Sequence, residues 1–226
     1  MNIHVYLEIG KKRTVAGAVD WPGWCRIGKD ELTALQALVD YGPRYAQVVH
    51  LAGLEFQAPA DRSAFLVTER LAGNATTDFG APGIMPEADR EAVDPAEQAR
   101  LRALLLACWQ ALERAAQGAA GKTLRKGPHG GGRETGETVQ HVLDAEQAYL
   151  SRLGWKLKSK GEQSVDEALR FTQQAALSAL EASVKGELPK QGPRGGAIWP
   201  ARYYVRRAAW HILDHAWEIE DRVDNI

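Results

Sequence analysis

The spacing of apolar residues changes near residue 90, and this change constrains the fold more than any other feature of the chain. Before this point apolar and polar side chains alternate, as in the run from Ile3 to Leu7, which is the period of a strand with one buried face. Beyond it, apolar residues recur every three or four positions in four stretches of about 20 residues, which is the period of amphipathic helices. We therefore predict an α+β protein in which a small mixed domain precedes a four-helix bundle.

The order of elements predicts a β-β-α-β domain over residues 1–80, with one more strand as an option. Two alternating stretches joined by a turn at Gly10 give the first two strands, and leucines three and four apart predict a helix over residues 30–52. Strand-like runs follow at residues 64–70 and 76–79. A turn with two tryptophans, from Trp21 to Trp24, separates the strand pair from the helix.

Residues 81–93 contain proline, glycine and acidic side chains without either period, which is typical of a linker. We expect residues 94–226 to form the helical domain, with a core of its own and the ability to fold alone. Its first helix opens with Asp94-Pro95-Ala96-Glu97, which combines an N-cap, an N1 proline and an N3 glutamate. Ser164-Val165-Asp166-Glu167 is a second capping box and marks the start of the third helix.

The overall charge and the cysteine content exclude several classes of protein. Lys and Arg total 28 and Asp and Glu total 29, so no basic field attracts nucleic acid. The longest apolar run, residues 103–109, is too short to span a membrane. Only Cys25 and Cys108 are present, which excludes a disulfide framework and favours a cytoplasmic location. Neither thiol is expected to be a nucleophile.

A weak repeat links the second and fourth predicted helices. Gly-Pro-x-Gly-Gly precedes both, at residues 127–131 and 192–196, and each helix then carries a His-x-x-Asp sequence at His141 and at His211. Two related helical hairpins would bring these sequences together in one bundle. Ordinary loops that lead into helices would account for the glycines without any function.

The histidines are the residues that indicate chemistry. His211 and His215 are four residues apart, so their rings lie on one helix face and can share one metal ion. His141 from a facing helix would complete a three-histidine site with an open position for water or substrate. Asp144 and Asp214 are candidates to orient the rings. A surface pair at this spacing is the simpler alternative, since such pairs are common.

Three more residues of the fourth helix lie within about 40° of His211, counted at 100° per residue. Arg207 is a candidate to bind an anionic group, Tyr204 to donate a proton, and Glu218 to act as a carboxylate base that also orients a ring. The alternatives are an exposed arginine, a packed tyrosine and an ion-paired glutamate.

The histidine pattern resembles that of the DinB-like superfamily of metal-binding four-helix bundles, which includes thiol-dependent S-transferases. The shared motif is a histidine on the second helix, here His141, and His-x-x-x-His on the fourth, here His211 to His215. The resemblance covers residues 94–224 and implies a divalent metal, zinc or nickel, held by these three histidines. It transfers the site better than the reaction, because activities differ between members.

The first 60 to 80 residues resemble the HicB-like antitoxin fold through the sequence Val19-Asp20-Trp21-Pro22-Gly23-Trp24-Cys25, which lies between a strand pair and a helix. The chain departs from that family because helices follow where a DNA-binding segment would stand. A repressor role is therefore not expected, in agreement with the neutral charge.

Two functions remain open at this point. The first is a metal-dependent enzyme of the S-transferase or hydrolase type, which activates a thiol or a water. The second is a non-enzymatic binding module in which the metal is structural or absent. The expected partner is a small-molecule substrate, with a low-molecular-weight thiol as one candidate; nucleic acid and membrane are not expected, and a homodimer is allowed.

Overall fold

The chain is described here by a computed structural model over residues 2–126, 132–157, 163–192 and 196–223. The first Gly-Pro-x-Gly-Gly loop, which contains His129, lies outside these residues. Of the second loop, only Gly192 and Gly196 are described. The fold is mixed: a four-stranded sheet forms the N-terminal part and long helices follow it, as predicted. No helix in the described ranges has a stretch long and apolar enough to cross a membrane.

The sheet pairs its strands in the order β3-β2-β1-β4. Its strands are β1 (Ile3–Ile9), β2 (Thr14–Ala18), β3 (Cys25–Gly28) and β4 (Phe65–Ala72). β2 is antiparallel to both β1 and β3, whereas β4 runs parallel to β1. The chain passes from β3 at one edge of the sheet to β4 at the other through two helices, α1 (Glu31–Asp40) and α2 (Gly42–Leu51).

Three N-terminal elements differ from the sequence prediction. β3 was missed because only four residues follow the tryptophan turn, too few to show a period. The helix predicted over residues 30–52 is two helices that meet at Tyr41, since Pro43 begins a new helix more readily than it continues one. Residues 76–79 belong to helix α3 (Ala75–Phe79) rather than to a strand, because Asn74 and Thr77 form a capping box there.

The long helices follow the sequence closely. They are α4 (Pro95–Gly118), α5 (Thr135–Arg152), α6 (Val165–Val184) and α7 (Ala201–Arg222). Asp94 caps α4 by accepting the Glu97 N–H at 2.8 Å, and Ser164 and Glu167 cap α6 reciprocally. The four helices pack against one another, with α7 in contact with the other three.

One hydrophobic cluster runs through both parts of the molecule. It includes Leu7 and Trp24 from the sheet part together with Leu104 and Ala208 from α4 and α7. The helix α2 also packs directly against α4. The core is therefore not divided at residues 81–93, and independent folding of residues 94–226 stays a prediction that this packing disfavours.

The segment predicted as a linker is packed into the fold. Residues Glu87–Arg90 form a 3₁₀ turn, and the carboxylate of Asp89 is completely buried against Arg206 of α7. The buried carboxylate of Glu8 accepts the backbone N–H groups of Gly83 and Ile84. Proline and glycine gave residues 81–93 their loop character, but these distant carboxylate partners hold the segment in place.

Candidate metal centre

Three histidine rings meet between α5 and α7. One ring nitrogen from each of His141, His211 and His215 lies within 4.8 Å of the other two. The ring centroids are 4.6 Å apart for His211 and His215, and 4.9 and 5.1 Å apart for the two pairs that include His141. The convergence expected from the sequence is therefore present.

The helices explain this arrangement. His211 and His215 are one turn apart on α7, so both point to the same side of that helix. α5 packs against α7, and His141 directly precedes two buried residues of α5, Val142 and Leu143. His211 is only 8% exposed and the side chain of His215 is 12% exposed, whereas His141 is more open.

The environment keeps the rings of His211 and His141 neutral. Burial, together with the neighbouring His215 and His141, lowers the pKa of His211 to about 3. Burial, with Arg133 and His215 nearby, also lowers the pKa of His141. A metal ion binds the neutral imidazole, so the protein presents these two rings in the form that a metal requires. The buried Nδ1 of His211 has no hydrogen-bond partner within the described residues.

Glu218 holds the ring of His215. Its Oε2 lies 2.8 Å from Nδ1 of His215, and its Oε1 accepts a 3.0 Å hydrogen bond from Nη1 of Arg222. The other ring nitrogen of His215, Nε2, is then the one that can bind a metal. In metal-binding histidines one ring nitrogen usually binds the ion while the other is held by a hydrogen bond. The hydrogen bond with His215 is the main cause that lowers the pKa of Glu218. The position favours the predicted orienting role over that of a free base.

The other predicted site residues have different surroundings. Asp214 pairs with Arg26 at 3.1 Å, and Asp144 accepts a hydrogen bond from Gln140 at 2.8 Å. Tyr204 is fully buried and its hydroxyl has no partner in the described part of the chain. Burial and the nearby Glu146 raise its pKa well above the usual value. Tyr204 precedes His211 by two helical turns, about 10 Å along the axis, which disfavours the predicted proton transfer.

Arg207 lies beside the histidines, as predicted, between two aromatic rings that sequence analysis missed. Its guanidinium carbon is 5.6 Å from the ring centre of Tyr149 and 5.0 Å from that of Trp210. Each of these rings is 5.9 Å from the ring of His211. The position of Tyr149, eight residues after His141 and so on the same face of α5, is the signal that could have found it.

The surface next to His141 is open. A groove of about 580 Å³ lies beside this histidine, and it is lined by Arg133, Gly136, Glu137, Gln140, His141 and Asp144. The two cysteines, in contrast, are buried and free, and burial raises the pKa of Cys25 to about 12 and that of Cys108 as well. The groove therefore gives access to the histidines at His141, and neither thiol is activated.

Comparisons of the chain with protein-family models, with curated proteins and with solved structures found no match. Function is therefore inferred from the site itself. Three imidazoles from two helices can hold a divalent ion and leave a coordination position open, because such ions are commonly four-coordinate in proteins. No fourth His, Cys, Asp or Glu joins this cluster in the ranges that the structure describes.

Proposed function

We propose that His141, His211 and His215 bind one divalent metal ion, zinc or nickel, and that the protein is a metal-dependent enzyme of the S-transferase or hydrolase type. The observation that carries the proposal is the approach of three ring nitrogens to within 4.8 Å of one another. The residues fit the ion: His211 and His141 are held neutral, His215 is held by Glu218, and Nδ1 of His211 has no partner among the described residues.

A bound divalent ion would lower the pKa of a water or a thiol and so supply a nucleophile at neutral pH. The chain's own contribution is to position the metal-binding rings and to exclude water from part of the site. Glu218 fixes the tautomer and direction of the His215 ring, and the deep burial of His211 keeps water away from one side of the cluster. His141 lies at the open groove, so a small molecule approaches the cluster from the side of α5.

The same histidine order supports the proposal that the helical part is DinB-like. One histidine on the second long helix and two, four residues apart, on the fourth are the features of the resemblance, and α5 and α7 are in contact. The antiparallel strands followed by a helix support a HicB-like N-terminal part in the same way, with the tryptophan turn between β2 and β3. Within this proposal the substrate is a small molecule, a low-molecular-weight thiol is the candidate co-substrate, and the location is cytoplasmic.

A non-enzymatic module with a structural metal is the second candidate. Structural zinc sites are usually closed by four protein ligands, whereas catalytic sites keep a position open. The three-ligand cluster of the described residues and the groove at His141 both favour the catalytic type. The long helices also have a large apolar core that needs no ion to hold it together.

Metal analysis tests the site. Protein purified without added metal and then dialysed against zinc or nickel is expected to hold one equivalent by mass spectrometry of the metal. His211→Ala and His141→Ala are expected to hold less than a tenth of that amount. His50→Ala is the matched control, because His50 lies on the exposed face of α2 and should not affect binding. Equal metal content in all four proteins would reject the site.

Activity distinguishes the two candidates. The metal-loaded protein is assayed for transfer of small thiols to an electrophilic aromatic chloride and for hydrolysis of nitrophenyl esters. Metal-dependent turnover that disappears in His211→Ala supports the enzyme. One equivalent of metal without turnover, combined with loss of cooperative unfolding after chelation, would instead support the structural role.

A further inference from the structure

Two consecutive arginines of α7 are buried in opposite environments. Arg206 is 4% exposed, and its guanidinium donates to both oxygens of Asp89 and to the carbonyl oxygens of Ala18 and Val19. Arg207 is 9% exposed, and its one hydrogen bond runs from Nη2 to the hydroxyl of Tyr149 at 3.3 Å. Within the described ranges, Arg207 has no carboxylate partner and its Nη1 has no acceptor at all.

A buried charge of this kind is unfavourable unless an anion neutralises it. A hydrogen bond to a neutral hydroxyl does not supply that anion. Arg206 shows that the fold can surround a buried guanidinium of the same helix with acceptors, here Asp89 and the backbone at the end of β2, when the charge only holds the fold together. The arginine beside the histidines is the one whose acceptors are missing, which points to an anion that is not part of the chain.

A second donor without an acceptor lies next to the first. Nε1 of Trp210 is buried and has no partner in the part of the chain described here. The guanidinium carbon of Arg207 is 5.0 Å from the centre of the Trp210 ring, and His211 is 5.9 Å from the same ring. Two neighbouring side chains of α7, one of them charged, therefore each carry a donor without an acceptor in the described residues, within about one helical turn of His211.

We infer that Arg207 and Trp210 bind the carboxylate of a small-molecule substrate. A carboxylate is planar and accepts hydrogen bonds in the plane in which a guanidinium donates them. The rings of Tyr149 and Trp210 lie beside the guanidinium that would bind it. Arg207 is one helical turn from His211, about 5–6 Å between their Cβ atoms. The substrate is thus a small acid whose reacting group lies about one helical turn from its carboxylate.

This inference rests on the proposed function in one respect: the carboxylate belongs to a substrate only if the reacting group of that substrate lies at the metal. Tyr149 and Trp199, whose ring centres are 5.4 Å apart, are both partly exposed and form the outer edge of the site. A carboxylate reaches Arg207 past these two rings. A bound carboxylate would pair with the guanidinium of Arg207. Because a ligand that binds only the folded state stabilises that state, it would raise the free energy of unfolding.

The experiment measures carboxylate binding to the full-length protein, with and without zinc. Acetate, succinate and, for comparison, inorganic phosphate are titrated by calorimetry and by the shift in unfolding temperature. Acetamide and sodium chloride serve as neutral and ionic-strength controls. The two carboxylates are expected to raise the unfolding temperature and the controls are not. Arg207→Met is expected to weaken their binding by about 10- to 100-fold, and Trp210→Phe by a smaller factor. Arg102→Gln, at an exposed site on α4, is expected to bind as the wild type does.

A carboxylate could also bind to the metal directly, and His211→Ala separates the two modes. The Arg207 site is expected to persist in this variant, whereas binding through the metal would be lost. The inference is overturned if the carboxylates stabilise no more than chloride does, if Arg207→Met binds them as tightly as the wild type, or if inorganic phosphate alone binds. Should Arg207→Met fail to fold, Arg207→Lys tests the same point, since it keeps the charge and loses the planar fork.

Metal content measured on the same samples distinguishes the failure of this inference from the failure of the proposed function. Carboxylate binding that depends on Arg207 in a protein without metal would support the inference and contradict the metal proposal. One equivalent of metal without a carboxylate site would do the reverse.

Discussion

The carboxylate of Asp89 accepts two hydrogen bonds of 2.7 Å from the guanidinium of Arg206, although neither side chain is exposed by more than 5%. Asp89 belongs to the segment that follows the sheet, and Arg206 to the last long helix. The same guanidinium reaches the carbonyl oxygens of Ala18 and Val19 at the end of β2. One side chain therefore joins the sheet, the connecting segment and the helices.

Asp89→Asn is expected to destabilise the protein strongly. The substitution leaves the charge of Arg206 buried without its anion, which typically reduces the free energy of unfolding by about 3–5 kcal/mol. Urea denaturation measures this loss. Glu31→Gln is the matched control, because it breaks the exposed ion pair with Arg70 and should have a much smaller effect. Equal losses in the two variants would show that the buried pair has no special role.

The whole chain is expected to unfold in one transition. The sheet part and the long helices share a single hydrophobic cluster, so neither can lose its packing without exposing the other. A fragment of residues 94–226 also lacks the anion of Arg206, and we expect it to unfold at a lower temperature than the full chain or not to fold. Calorimetry and circular dichroism measure this. Two separate transitions, or a fragment as stable as the full chain, would support the independent domains expected from the sequence.

Glu146 is expected to make the stability depend on pH. It is 1% exposed, Trp109 donates to its Oε1 at 2.7 Å, and burial raises its pKa to about 7. The folded state therefore keeps a proton that the unfolded state releases above about pH 4.5, so the stability falls as the pH rises from about 4.5 to 7. The loss approaches about 3 kcal/mol, since a tenfold change in proton affinity corresponds to about 1.4 kcal/mol.

Glu146→Gln tests this dependence, because an amide does not ionise in this range. The variant is expected to be about as stable as the wild type at pH 4.5 and more stable than the wild type at pH 8. Its stability should therefore change less with pH between these values. Glu113→Gln, at an exposed position of α4, should leave the profile unchanged. Urea denaturation at a series of pH values gives the comparison. A profile that Glu146→Gln does not flatten would assign the effect to another group.

Glu218→Gln is expected to weaken metal binding without removing it. The three histidines remain, but the His215 ring loses the carboxylate that orients it, a change that typically reduces affinity by about 10- to 100-fold. Competition with a chromophoric chelator measures the affinity. Glu220→Gln is the matched control, because Glu220 is two residues away and pairs with Arg44 instead. An unchanged affinity in Glu218→Gln would show that the ring is held by packing alone.

The sequence predicted the long helices well because their signals are local. Caps such as Asp94 and Ser164 and the spacing of apolar residues determine where each helix begins and which side it buries. The N-terminal errors have a local cause as well. Gly42-Pro43 and the Asn74 capping box were both present in the sequence and could have been used. β3, in contrast, depends on its pairing with β2, which no local sequence pattern predicts.

The candidate site was predictable only where helical spacing was sufficient. His211 and His215 follow from their separation by four residues, and His141 from the repeated His-x-x-Asp sequence. Tyr204 lies at the predicted angle around the helix axis, on the same side as His211. The angle alone did not show that the two residues are about 10 Å apart along that axis. Trp210 and Asp89 were missed because their neighbours come from segments far apart in the chain, and such contacts appear only after the chain has folded.

Every residue of α7 from Tyr203 to Leu213 is buried, and this has a consequence for mutational scanning. Nearly all substitutions in this stretch will lower the yield of folded protein, so intolerance at His211 does not distinguish a ligand from a packing residue. His141 is different, because it is only partly buried, and an exposed residue of the same helix outside the groove, such as Ala148, should tolerate change. A sharp loss of function at His141, on a helix whose exposed positions tolerate change, is the signature by which a scan would identify the site.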